Sequence, residues 1–232
     1  MKDAAVLLLS GGLDSAVNAA LAVRQHVAVH AVTFDYGQRA GAREIAAART
    51  MATHYGMSHA VIALPWMAEL SASALVDSAR ALPEFRERSS LDDPERTSAS
   101  AAQVWVPNRN GCFLNIGAAI AEANGWSWIV AGFNAEEGKT FPDNTAAFVD
   151  KVNAVLSMTI ARPVRVVSYT QTMTKREIVK TAMTLHLPIE CCWPCYADSE
   201  EWCGVCESCA RFRRALQESG YAQPLDFAND PV

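Results

Sequence analysis

The sequence predicts a doubly wound α/β fold, a parallel sheet with helices on both faces, carrying a small cysteine-rich segment at its C-terminal end. Three observations predict it. Short runs that are apolar on both faces alternate with helical patterns along most of the chain, as in a covered parallel sheet. The first such run passes directly into the turn Ser10-Gly11-Gly12-Leu13-Asp14-Ser15 and then into a helical pattern. Open α/β sheets bind ligands at such strand ends. Finally, six of the seven cysteines fall between Cys191 and Cys209.

Expected strands cover residues 4–9, 27–34, 60–64, 127–133 and 164–168, and expected helices 15–25, 40–55, 110–124, 144–157 and 174–185. Asn144 and Thr174 read as polar openings of helices, and Gly56 and Gly125 as their closings. Residues 71–103 are rich in Ser, Ala, charge and proline with weak periodicity, and read as either a lid or a disordered insertion. The expected division is an α/β domain over 1–190 and a segment over 191–232 packed on it.

The chain has 232 residues, half of them hydrophobic, and a formal charge of −5. That length supports one substantial domain with a small appendage. The charge argues against a nucleic-acid coat. Arg211, Arg213 and Arg214 form a small basic run, read as a solvated face or a dimer contact before a nucleic-acid patch. No apolar run has the length of a membrane span. The first one follows Lys2-Asp3 and leads into a functional loop, so it reads as a strand and not a signal peptide. A cytoplasmic location is expected, where the thiols are reduced or bound to metal.

The glycine turn suits a pyrophosphate. Paired glycines let backbone approach phosphate oxygens that a Cβ would repel, and the following helix aims free N–H groups at the same anion. Ser10 and Ser15 add hydroxyls, and Asp14 is a candidate ligand for Mg²⁺. It is not the kinase P-loop, because no lysine follows. The six-residue match resembles the PP-loop ATP pyrophosphatases, which cut ATP between its α and β phosphates and activate an oxygen as its adenylate. That resemblance implies a Rossmann-like, ATP-binding fold, with Leu9, Ser10, Gly11, Gly12, Leu13, Asp14 and Ser15 at the nucleotide.

Other strand ends add candidates. Asp35-Tyr36-Gly37-Gln38-Arg39 is expected beside the adenosine, with Arg39 able to meet a phosphate. Arg109, at a helix start, suits a carboxylate or an adenylyl group. Gly132 lies at the end of the fourth strand. Beyond it, Glu137 and Asp143 are candidates for the N–H donors of a guanine-like ring; their alternative is surface charge near a helix start. Lys175, with Glu177, opens the last α/β helix, either touching phosphate or exposed.

Cys203, Cys206 and Cys209 form C-x₂-C-x₂-C, with Cys195 upstream. Four gathered thiolates make a closed, structural Zn²⁺ site, favoured over an iron–sulfur cluster. Cys192 competes with Cys195 as fourth ligand. Cys112 lies in an apolar helix and reads as packing.

Along nearly its whole length the chain resembles the 7-cyano-7-deazaguanine synthase family (QueC). The features that match are SGGLDS at 10–15, TFDYGQR at 33–39, VPNRN at 106–110, GFNAEE at 132–137, Phe141-Pro142-Asp143, and the cysteine tail from Cys195. The resemblance implies a zinc-containing, typically dimeric enzyme that converts 7-carboxy-7-deazaguanine and ammonia into the nitrile, using ATP twice. It maps the zinc ligands to Cys195, Cys203, Cys206 and Cys209. Asp14, Ser15, Arg109 and Lys175 are then the expected catalytic residues. Arg109, Glu137, Lys139, Phe141 and Asp143 are the expected substrate contacts. One loop departs from the family pattern S-G-Y-P-D-C-R: its tyrosine, cysteine and arginine are Phe141, Asn144 and Thr145 here. Lys139 is a candidate to replace the lost charge. A diverged relative that stops at the amide or takes another acid or a partner protein is one alternative. A zinc-ribbon binding module with an inactive nucleotide site is another. A tRNA-thiolating ligase would need a catalytic cysteine beyond the tail, where only Cys112 is present, and a basic face.

Overall fold

The computed structural model describes residues 4–26 and 28–229. Val27, the expected first residue of the second strand, lies outside the described residues, as do 1–3 and 230–232. Five strands form one sheet: β1 (Ala5–Leu8), β2 (Val29–Asp35), β3 (Ser58–Ala63), β4 (Trp128–Val130) and β5 (Arg165–Val167). Their order is β3-β2-β1-β4-β5, and every neighbouring pair is parallel.

Alternate residues of the strands feed two apolar layers, as the pleat requires. Ala5, Leu7, Leu9, Ala31 and Val130 pack on one face, against helices α1 (Leu13–Gln25) and α2 (Gly41–His54). Val6, Val32, Phe34, Ile129 and Ala131 pack on the other. Two short helices, α3 (Trp66–Glu69) and α4 (Pro94–Val104), follow β3; α5 (Arg109–Asn124) and α6 (Ala146–Thr159) then cover the second face. α7 (Lys175–Thr184) and α8 (Glu207–Ser219) return to the first. The sheet is therefore doubly wound, and its switch point lies between β1 and β4. Among the described residues, no helix is long and apolar enough to cross a membrane.

Several local expectations shift. β4 and β5 have three residues each, shorter than the apolar runs that contain them. Asn144 does not open α6: the Thr145 hydroxyl accepts from Phe148 N at 3.1 Å, while Asn144 closes a 3₁₀ turn over Pro142–Asn144. Thr174 does open α7, in a reciprocal capping box with Glu177. That places Glu177 at the cap and away from the chemistry. Residues 71–103 are folded. Asp93 caps α4, Ala74 N donates to Gln103 O at 2.8 Å, and Phe85 N donates to Val205 O at 2.6 Å. The disordered alternative is thereby excluded, because the segment's polar backbone is tied to the cysteine-rich tail. That tail is itself part of the first apolar layer, where Cys192, Trp202, Phe212 and Leu216 share a core with Leu7 and Leu9.

Candidate active site

At the switch point, β1 ends in the glycine turn and α1 begins. Gly12 occupies the N-cap of α1 without any side-chain cap, so first-turn N–H groups are left for a ligand. The Ser15 hydroxyl holds the turn together, accepting from Ser10 N at 3.2 Å and donating to Gly12 O at 2.9 Å. Gly11 has φ +81°, and a Cβ there would lie 2.5 Å from the Glu44 carbonyl oxygen. At the end of β4, a Cβ on Gly132 would come within 2.8 Å of Ser15 N. Glycine at both positions is a steric condition for the turn. Above it lies a cavity of ≈ 260 Å³.

Asp14 points into this cavity and is clamped from one side. Its Oδ2 accepts from Lys175 Nζ at 2.6 Å and from Asn134 Nδ2 at 3.1 Å. Lys175 also donates to Glu137 Oε1 at 2.9 Å. Burial alone would depress Lys175, but Asp14 and Glu137 outweigh it and hold the ammonium charged above the usual lysine range. Burial likewise pushes Glu137 up, and the Lys175 charge overcomes it, leaving the carboxyl below the ordinary range. At Asp14, burial and the neighbouring Glu137 charge keep the carboxyl above its ordinary value despite Lys175. Lys175 is therefore buried and paired, and its exposed alternative is excluded. Asn134 supports the loop, its Oδ1 accepting from the backbone N–H groups of Glu136 and Glu137 at 3.0 and 2.9 Å.

A second cation, Arg109, begins α5. It donates to the Tyr36 hydroxyl at 3.1 Å and feels Asp143 and Glu44, which, after the cost of burial, keep it firmly charged. Ser10, Gly12, Leu13, Asp14, Ser15 and Arg109 all line the cavity, as do Gly132, Glu137, Phe141 and Lys175. Leu9 is buried beneath it in the core, with Gly11 under the turn. Four expected residues are elsewhere. Asp35 accepts from Gly37 N at 3.2 Å within its own turn. Arg39 is outside the cavity lining, and its Nη2 donates to the carbonyls of Asp77 and Arg80. Asp143 stands behind Arg109, and Lys139 is outside the lining. Thr145 caps α6 and brings no charge to the cavity.

The cavity also has a wall that sequence reading missed, made by Trp193, Pro194, Tyr196, Ser208 and Arg211 from the tail. The reading of the arginine run as a solvated face is corrected here. Arg211 and Arg214 are 12 % and 17 % exposed, because Arg211 pairs with buried Glu207 and both lie near Glu136. Spacing did carry a signal: Glu207 and Arg211 are an i, i+4 pair.

The sulfur atoms of Cys195, Cys203, Cys206 and Cys209 lie within 4.8 Å of one another. Cys203 and Cys209 are 3.9 Å apart, close to the roughly 3.8 Å between ligands at about 2.3 Å on a tetrahedral ion. Backbone N–H groups of Ala197 and Cys203 both point at Cys195 Sγ at 3.3 Å, as a thiolate favours. Cys192 is buried outside this group, its thiol pushed up by burial. The donor set fits a metal ion. Cys112 packs half-buried in the second apolar layer.

Fold and site together define a doubly wound α/β protein with an open glycine turn at its switch point and a four-cysteine centre able to hold a metal. The chain belongs to the QueC family: the family described as "Queuosine biosynthesis protein QueC" matches residues 4–220. It is 49 % identical to the 7-cyano-7-deazaguanine synthase of Desulforudis audaxviator over 93 % of this chain and 97 % of that protein. The synthase of Pelotomaculum thermopropionicum is 48 % identical over the same shares. That of Methanothermobacter thermautotrophicus is 40 % identical over 96 % of this chain and 98 % of its own.

Proposed function

We propose that this protein makes 7-cyano-7-deazaguanine from 7-carboxy-7-deazaguanine, ammonia and ATP. Family membership supports the substrate class, and the observation that carries the chemistry is the open glycine turn beside the Asp14–Lys175–Glu137 cluster. A carboxylate is a poor electrophile because its oxygen leaves badly. Its attack on the α-phosphorus of ATP forms an acyl-adenylate and releases pyrophosphate. Ammonia then adds at the carbonyl carbon, and AMP leaves with the C–O bond electrons to give the amide. The amide oxygen attacks the α-phosphorus of a second ATP and displaces its pyrophosphate; loss of AMP from that adenylate, with two protons released over the sequence, leaves the nitrile.

The chain's own contribution is placement and charge. The amides of the glycine turn and the α1 N-terminus bind the leaving diphosphate. Lys175 and Arg109 neutralise charge at the phosphates. Ser15 keeps the turn in shape. Asp14 Oδ1 is buried with no hydrogen-bond partner among the described residues, which fits a ligand for Mg²⁺. When bound, that ion neutralises phosphate charge. Zn²⁺ is the ion proposed for the four cysteines, and it supplies structure only. Glu137 and Phe141 are the proposed contacts to the heterocycle, and a homodimer is the proposed assembly.

A second reading, an enzyme that stops at the amide or takes another acid, is favoured by the uncharged residue at Thr145. Mass spectrometry of the product from 7-carboxy-7-deazaguanine, ATP and ammonium tests both. Nitrile with stoichiometric nucleotide cleavage supports the first reading. Amide alone supports the second, and no product from this acid refutes the first. The nucleotide product, AMP or ADP, is read in the same mixture.

A further inference from the structure

Two arginines line the cavity, and they keep different company. Arg109 faces Tyr36 and Glu44, whose backbone carbonyl closes over Gly11, so it stands at the nucleotide turn. Arg211 comes from α8, behind the cysteine cluster. Its Nε and Nη2 both donate to Oε1 of Glu207, at 2.9 and 2.7 Å. Glu207 is 2 % exposed, and its Oε2 accepts from the Ser100 hydroxyl. One edge of the guanidinium is thus pinned by a carboxylate that is itself held from α4.

The other edge is open. Arg211 Nη1 lies 3.9 Å from Glu136 Oε2, beyond hydrogen-bond distance, and meets no other acceptor among the described residues. Lys175, the remaining cation of the lining, is held at the glycine turn by its pair with Asp14 and also meets Glu137. A mostly buried guanidinium, fixed in rotamer and presenting unpaired donors to a cavity, is preorganised for an anion. Glu137 and Tyr196 line the same cavity as Arg211.

We propose that Arg211 receives the carboxylate of the acid substrate, with Glu207 as the positioning residue that aims it. This rests on the functional reading above and deepens it, naming the residue that distinguishes a carboxylate from neutral analogues of the same ring.

The test compares binding of 7-carboxy-7-deazaguanine with that of its neutral amide by calorimetry, using zinc-loaded wild type, R211Q, R211K and E207Q. The double variant R211Q/E207Q removes the buried unpaired carboxylate that R211Q alone would leave, so a folded comparison is available. Zinc content and melting temperature confirm folding in each. R211Q should weaken the acid about ten- to hundred-fold while the amide changes less than about three-fold. R211K should recover part of the acid's affinity. E207Q should raise KM for the acid without changing KM for ATP. Unchanged acid affinity in R211Q, or equal losses for acid and amide, overturns the assignment and leaves the functional reading standing. A wild type that neither binds nor consumes the acid refutes the functional reading, and the ligand assigned to Arg211 falls with it.

Discussion

The backbone N–H of Trp193 donates to the carbonyl of Gly11 over 2.8 Å, tying the segment that enters the cysteine cluster to the turn that would hold phosphate. Arg43, from α2, lies over the Trp193 ring at 5.5 Å and adds a second tie. The cluster begins two residues beyond Trp193, at Cys195, so order in one element is order in the other.

Metal removal should therefore do two things. Because ligation is coupled to folding, stripping the ion or making C206S should lower the melting temperature by more than about 10 °C. Cys206 also caps α8, accepting from Cys209 N at 3.5 Å, which adds to the loss. ATP affinity should fall as well, through the Trp193–Gly11 contact. Calorimetric titration with a non-hydrolysable ATP analogue after verified metal loss checks the second effect. Unchanged affinity would separate the two elements.

Much of this was legible in the chain because the signals are local. The strand–turn–helix at Ser10 to Ser15, the alternation of apolar runs and the cysteine spacing each depend on neighbours in sequence. What was not legible depends on partners far away. Arg39 looked free for a phosphate because nothing nearby in sequence announces the carbonyls of Asp77 and Arg80 that accept from its Nη2. Arg211 looked like a solvated helix face because Ser100, Glu136 and the cavity wall come from other elements. Residues 71–103 have weak periodicity because much of their order comes from tethers to Val205, Glu207 and Arg214.

Asp14 is the next site to test. Its Oδ2 holds Lys175 and Asn134, and its Oδ1 awaits a partner. D14N keeps the shape and removes the charge, leaving Lys175 with Glu137 alone. Nucleotide cleavage should drop by about 10²-fold or more, with the melting temperature retained within a few degrees. Pyrophosphate release measured with saturating acid and ATP is the readout, and wild-type release would remove Asp14 from the reaction.

Gly132 offers a steric test of the same crevice. The methyl of G132A would meet backbone on three counts, Ser15 N at 2.8 Å, Ser15 Cα at 3.0 Å and Asp14 C at 3.1 Å. Backbone cannot swing aside as a side chain can, so β4 must shift from the turn, at about 1–3 kcal/mol. KM for ATP should rise at least about ten-fold with it. Gly56 is the control: its φ is +64° with nothing within 4 Å, so G56A should cost about 1–2 kcal/mol of stability and leave KM for ATP alone.

Glu137 connects the site to pH. Burial raises its carboxyl, but the Lys175 charge and hydrogen bond, helped by Asn134 and Arg211, carry it below the ordinary glutamate value of about 4.3. Between those two values the native protein binds fewer protons than the unfolded chain, so stability rises with pH there. The contribution is complete above the ordinary value and is lost as pH falls through the folded one. Asp14 runs the opposite way: its folded value is raised, so its contribution is complete at low pH and is lost as pH rises through that value. E137Q should therefore melt below wild type by a constant margin near neutral pH, and the margin should shrink below about pH 4. D14N should show the reverse trend, with its relative stability improving as pH rises. Melting curves for the three proteins across the acid range separate the two carboxylates. A margin for E137Q that stays constant into strong acid would mean that Lys175 does not hold Glu137 ionised in the native state.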